Sequence, residues 1–360
     1  MSRKSNFELI RIFAMVIIIA YHLVPDVKTD IWLEGSYTNK MISSMFLVCG
    51  YIGVQLFYML TGYFMCDNDK IRLKKIVTIG VFYSFLTEII YFIARFGFGF
   101  SFPQLDYTPF IFSAVLKPVT SGSWWYLTSY FYLMIFHPII NSMTRRVNKK
   151  GFQIVLIFMF ISDYFLAARF IQTDYMHLER TVFCYLLGVY VKKYIEIELL
   201  SAPSRIATLV IYIASWICAG LGLFYVGEHR VAAINSFKMQ IFHRFIDGMS
   251  YCLFGTICSL AVFLLVKSVD IGCNRIINTI ANTTFGIYLF HASPVISGLD
   301  IYKKYDAYLG ELFVIKYLLW IIITFVGCGL LDIFRQKIFE PFMNSLYDCI
   351  AVKFSKYIVK

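Results

Sequence analysis

Three residues near the N-terminus have side chains and a spacing suited to acid–base chemistry: Glu8, Arg11 and His22. They fall in the apolar stretch 7–24, where an ionisable group is costly and usually has a task. At about 100° per residue, the eleven steps from Arg11 to His22 return a helix to within about 20° of the same face. Glu8 lies one turn before Arg11 on that face. At about 1.5 Å per residue, Arg11 and His22 stand about 16 Å apart along the axis. One helix face thus offers a cation at one depth and an imidazole at the other. An imidazole can take the proton of a hydroxyl, which is a poor nucleophile until it is deprotonated. A guanidinium can hold a phosphate or carboxylate. The plain alternative is that Arg11 snorkels to a membrane surface and His22 only ends the helix.

Further ionisable residues interrupt other apolar stretches: Glu88, His137 beside Pro138, Asp163 and His291. Each also reads as a hydrogen-bonded packing residue. Counting depth along the stretches, His291 falls near the level of His22 and His137 toward the opposite side. His177, His229 and His243 fall in expected loops, too scattered for a metal site. Leu60-Thr61-Gly62-Tyr63-Phe64 ends the second apolar stretch, where glycine permits a turn or a close backbone approach. The basic run Lys70, Arg72, Lys74, Lys75 follows. It suits either phosphate binding or a loop on the positive side of a membrane. There is no Gly-rich phosphate loop, nucleophile elbow or kinase signature. The nine cysteines include no C-x-x-C pair and none in an expected outer loop. They read as packing residues, with neither a disulfide framework nor a metal site indicated.

The elements that must position these groups are membrane helices. Hydrophobic residues make up 59% of the chain and charged residues 15%, against roughly 25% charged in a soluble domain. Ten apolar blocks approach the ~20 residues that cross a bilayer: 7–24, 44–65, 76–94, 124–143, 152–170, 181–195, 206–226, 250–266, 278–298 and 314–334. Trp32, Trp124 and Trp125 sit near block ends, where interfacial aromatics belong. The sequence therefore predicts an all-α, polytopic integral membrane helical bundle with about ten transmembrane helices and both termini cytoplasmic. In that topology 20 of the 33 Lys and Arg fall on the inner side. They cluster at Arg3–Lys4, Lys70–Lys75, Arg145–Lys150, Lys192–Arg205, Lys267–Arg275 and from Arg335 onward. This is the positive-inside pattern. It accounts for the net charge of +11 through topology and anionic lipid, without a nucleic-acid partner. The first block imitates a signal peptide but lacks a small-x-small cleavage site and is read as a retained anchor. The stretches 25–43, 95–123 and 227–249 read as structured outer loops. The sequence divides into a membrane-embedded domain over 1–340 and a basic cytoplasmic tail over 341–360.

These residues resemble the acyltransferase-3 family of integral-membrane acyltransferases. Asn6-Phe7-Glu8-Leu9-Ile10-Arg11, running on to Tyr21-His22, looks like its opening motif. Phe57 to Phe64 is similar to its Phe-rich Ser-Gly-Tyr/Phe segment, with Thr61 in place of Ser. Trp125-Tyr126-Leu127, leading to Tyr132-Leu133 and Pro138, looks like its Trp-aromatic-Leu span. Thr284 to His291 looks like its late Gly-Ile-Tyr-Leu-x-His span. The likeness runs from about residue 6 to 335. Two positions depart from it: Glu8 stands where Asp is frequent, and the basic loop reads Arg72-Leu73-Lys74-Lys75 rather than Arg-x-x-Arg. Lysine keeps the charge but loses the bidentate fork.

The resemblance implies transfer of an acyl group, commonly acetyl, from cytoplasmic acetyl-CoA to a hydroxyl of a cell-surface or lipid-linked glycan. It places the protein in the cell membrane, a bacterial cytoplasmic membrane, without a metal. It implies His22, Arg11 and Glu8 as catalytic residues, Arg11, Arg72 and Lys75 as contacts for the CoA phosphates, and Trp125, Tyr126, Tyr288 and His291 against the substrate. A transporter or glycan flippase would share the spans and buried charges, but its marks are internal repeats and matching broken helices. Neither is evident. A non-catalytic membrane component of polysaccharide assembly would leave His22 dispensable.

Overall fold

The computed structural model describes residues 4–24, 35–102, 117–120, 124–162, 177–196, 201–230, 236–299 and 311–358. Among these residues every regular element is helical. The helices are α1 (Ser5–Leu23), α2 (Tyr37–Leu47), α3 (Cys49–Met65), α4 (Lys74–Phe92), α5 (Trp125–Arg146), α6 (Lys149–Met159) and α7 (Leu178–Tyr194). They continue as α8 (Ala202–Glu228), α9 (Phe237–Gly248), α10 (Gly255–Lys267), α11 (Arg275–His291), α12 (Pro294–Gly298) and α13 (Phe313–Ile358). Short π-helical segments, Ile93–Gly97 and Met249–Phe254, extend α4 and join α9 to α10.

Among the described residues six helical stretches are long and apolar enough to cross a membrane: Ser5–Leu23, Tyr37–Met65, Lys74–Gly97, Ala202–Glu228, Phe237–Lys267 and Phe313–Phe342. The chain is thus a multi-pass membrane protein. The sequence led us to expect ten spans. The remaining blocks contain α7 and α11, with 17 residues each, α5, which carries His137, Asn141 and two arginines, and α6, which is followed by residues outside the described range. Two expected outer loops are partly helical. α2 begins at Tyr37, and α9 occupies most of 227–249, so His243 is a buried helical residue rather than a loop residue. Arg335, expected among the solvated inner charges, is buried within α13. That helix continues through the expected tail to Ile358. Trp32 and Asp163 lie outside the described residues.

α1 is the axis of the bundle, packing against α3, α10, α11 and α13. α3 also packs along α7, and here glycine sets the distance. A Cβ on Gly62 would stand 2.0 Å from the Tyr185 carbonyl oxygen, and one on Gly188 would stand 2.0 Å from that of Met59. The two backbones touch through reciprocal glycines, the means by which apolar helices gain contact where the surrounding lipid is equally apolar. Of the two readings open for Gly62, close approach is the one realised, since α3 continues past it to Met65.

Side-chain caps fix several helix starts. Ser36, Asn148, Ser201, Asn274 and Ser293 each accept a backbone N–H of the following turn. Pro294 occupies the first position of α12, where its missing N–H costs nothing.

Candidate active site

α1 and α11 run parallel, tied together at both ends. At their N-termini Ser5 donates through Oγ to Asn278 Oδ1 (2.9 Å), and Asn274 N–H donates to Ser5 Oγ (2.6 Å). Asn6 adds hydrogen bonds to the carbonyls of Val266 (3.1 Å) and Val269 (2.8 Å). At the other end His22 Nδ1 meets His291 Nε2 at 2.9 Å. Ser5 to His22 and Asn274 to His291 are each seventeen residues, about 25 Å of helix at 1.5 Å per residue. Equal lengths from one clamp bring the two imidazoles level. Tyr317 of α13 completes the top of α1 by donating its hydroxyl to the Ala20 carbonyl.

The proton positions follow from the partners. His291 Nδ1 faces the Ile287 carbonyl at 2.6 Å, and a carbonyl only accepts. In the neutral pair His291 therefore carries its proton on Nδ1 and accepts at Nε2. His22 must then donate from Nδ1, which leaves its Nε2 lone pair without a hydrogen bond among the described residues. His291 is buried, whereas His22 is exposed. The arrangement leaves one imidazole nitrogen with its lone pair available and holds the ring from behind, as an acceptor behind a catalytic imidazole does.

The cation of the same helix lies elsewhere. Arg11 pairs with the buried Glu8 at 3.5 Å and lines a cavity of about 440 Å³. Arg72 and Lys75, from the basic run, line the same cavity, with Thr61 and Met65 of α3, Tyr126, Tyr130 and Met134 of α5, and Ala281 to Phe285 of α11. All three cations expected to bind phosphates thus converge on one chamber. Arg72 and Lys75 also border a second chamber of about 620 Å³, which Glu340 lines as well.

Aromatic rings line the interval between the cavity and the histidines. Tyr126 meets Tyr288 edge to face with centroids 5.3 Å apart, and Tyr288 meets His291 in the same manner at 6.4 Å. Trp125 packs on His177 at 4.6 Å, and the Arg180 guanidinium lies over Tyr51 at 4.4 Å and over Trp125 at 6.0 Å. The four residues expected against substrate therefore divide. Tyr126, Tyr288 and His291 form one column, and Trp125, edge to face with Tyr126 at 6.1 Å, links it to a cluster around Arg180.

The other candidates serve the frame. His137 sits between the carbonyls of Met134 (3.0 Å) and Asn68 (2.9 Å), so it holds the turn after α3 far from His22. Asn141 and Arg145 grip the same turn, Arg145 through a fork on the Asp69 carboxylate at 2.8 and 3.2 Å. That guanidinium holds the Asp69 carboxyl below its ordinary range. Glu88 is buried, and neither of its carboxyl oxygens has a hydrogen-bond partner among the described residues. No group of three or more potential metal ligands occurs among the described residues.

One polar centre escaped the sequence reading. Asp332, fully buried, accepts from Tyr83 Oη (2.8 Å), Arg335 Nε (2.6 Å) and Gln336 Nε2 (2.7 Å). Arg335 reaches on to Glu340 at 3.2 Å. The site abuts α11 so closely that a Cβ on Gly286 would lie 1.9 Å from the Asp332 carboxylate. The available signal was an acid and a base three residues apart at the end of an apolar block, a spacing that pairs on one helix face.

A family described as an acyltransferase domain matches residues 4–333. The chain belongs to the acyltransferase-3 family. No curated protein and no solved structure matches it. The matched span begins at the Ser5 clamp and ends just past Asp332, and so takes in α1, the cavity and the histidine pair. The protein is a membrane acyltransferase.

Proposed function

We propose that this acyltransferase moves an acetyl group from acetyl-CoA, bound from the cytoplasm, to a hydroxyl of a cell-surface or lipid-linked glycan. The observation that carries the reading is the division of labour along α1. Arg11 opens on a chamber with Arg72 and Lys75, and His22 presents its free nitrogen at the opposite end beside His291. Three cations suit the phosphates of CoA, and the ~16 Å from Arg11 to His22 is a span that an extended pantetheine arm covers. The acceptor then approaches His22 from the other side. His22 Nε2 takes the hydroxyl proton as the oxygen attacks the thioester carbonyl. The carbon–sulfur bond breaks, and the CoA thiolate leaves with the proton that His22 returns. His291 holds the His22 ring in the productive tautomer.

The positive-inside distribution supports cytoplasmic termini and hence a cytoplasmic Arg11 chamber. The donor assignment is tested with purified protein in liposomes, measuring acetyl-CoA binding by Arg11→Lys. Lysine keeps the charge but not the fork, so affinity should fall about tenfold or more. Unchanged affinity for both Arg11→Lys and Arg11→Ala would remove Arg11 from the donor site.

A further inference from the structure

We infer that the Tyr126–Tyr288 ring pair sets the length of acyl chain that the enzyme transfers, admitting acetyl and excluding longer chains. The inference rests on the reading above, in which acyl-CoA fills the Arg11 chamber and His22 is the base. The order of side chains along the helices supports it. On α5 the chamber is lined at successive turns by Met134, Tyr130 and Tyr126. On α11 it is lined by Ala281 to Phe285, the next turn presents Tyr288, and the one after presents His291. Tyr126 is thus the last ring of the chamber on one wall, and Tyr288 the first beyond it on the other. A thioester that is to meet an acceptor at His22 has to come alongside both.

The wall is tightly built. Tyr126 and Tyr288 are each 6% exposed. Tyr126 also packs against Tyr58 at 4.9 Å and stacks on Tyr130 at 5.9 Å. Tyr58 is itself anchored by a 2.5 Å hydrogen bond to Ser129. Rings held from several sides do not yield to added methylenes, because packed interiors resist overpacking. An acetyl group ends at its methyl. A butyryl group carries two further methylenes into the space that these rings occupy. Each methylene in a closed apolar site changes selectivity by roughly 10- to 200-fold. An aromatic cluster with a purely structural role would leave donor preference unmoved.

The test supplies acetyl-, propionyl- and butyryl-CoA to membranes of expressing cells, which contain the native acceptor. Acyl groups released from the glycan fraction by mild alkali are then counted. Wild type should transfer propionyl about tenfold or more below acetyl, and butyryl lower again. Tyr288→Ala and Tyr288→Leu should raise the butyryl-to-acetyl ratio by about tenfold or more, and Tyr288→Phe, which keeps the ring, should not. Tyr126→Leu opens the same wall from the other side and should act alike if the α11 variants fail to accumulate. An unchanged ratio in variants that still transfer acetyl overturns the inference, as does a wild type that accepts butyryl as readily as acetyl. Loss of transfer from every donor in both Tyr288→Ala and Tyr288→Leu at wild-type protein level also overturns it, since the ring would then serve binding or chemistry rather than selection. Absence of transfer from any of the three donors by wild type is a separate result, which removes the acyl-CoA reading itself.

Discussion

At the scale of single residues, the chemistry turns on which nitrogen of His22 is free. The Ile287 carbonyl fixes His291, and His291 fixes His22, so a chain of two hydrogen bonds leaves Nε2 as the nitrogen that the proposed mechanism uses. Deleting the second imidazole removes an orienting partner but not the base. General-base assistance is worth about 10²–10⁴-fold, and misorienting the base forfeits a part of it. His291→Phe should therefore lower turnover by about 10-fold to 10³-fold with little change in KM for acetyl-CoA, measured as CoA release in membranes. Equal damage to KM would point to a donor-binding role for His291 instead. The sequence placed His291 at the depth of His22 by residue counting alone. It did not show the contact, because nothing in either stretch says that α1 and α11 are neighbours. The paired clamp at Ser5 and Asn274 has no sequence signature beyond two small polar residues. Arg11, Arg72 and Lys75 were legible as a set through residue type and side of the membrane, which is why their shared cavity follows the expectation.

At the scale of elements, the site depends on how closely helices approach. α3 brings Thr61 and Met65 to the cavity, and it is seated on α7 through Gly62 and Gly188. The contact is backbone on backbone, so neither partner can swing aside. Gly188→Ala should cost about 1–3 kcal/mol by overpacking, seen as a lower midpoint of thermal inactivation in detergent. An unchanged midpoint would mean that α7 shifts freely and that the crossing is looser than it stands here. The sequence located glycine at 62 without revealing its opposite number, since a helix crossing joins residues more than a hundred positions apart. Asp332 and Arg335 were missed for a related reason. Charges beyond an apolar block read as solvated, and only the packing of α13 against α4 and α11 shows that Tyr83, Gln336 and Gly286 enclose them. Such a pair is costly to break, because removing one partner strands the other charge in an apolar surround.

At the scale of the molecule, the account requires a bundle with two differently furnished ends. Composition predicted the membrane and the helices. The number of spans was less legible: the six stretches identified among the described residues match six of the ten expected blocks, and α5, α6, α7 and α11 fall in the other four. Sidedness rests on the positive-inside distribution and is open to direct test. In intact cells a membrane-impermeant thiol reagent should leave Cys273, exposed at the start of α11, unlabelled until the membrane is opened. Labelling of Cys273 in sealed cells would turn the Arg11 chamber outward and remove its access to cytoplasmic CoA. The central claim is that His22 drives acyl transfer to a surface glycan, and mass spectrometry of that glycan tests it most directly. The comparison is a strain lacking this gene, complemented with wild type or with His22→Ala at equal protein level. The account predicts an acyl mass that is lost in the deletion, restored by wild type and not restored by His22→Ala; restoration by His22→Ala would contradict it.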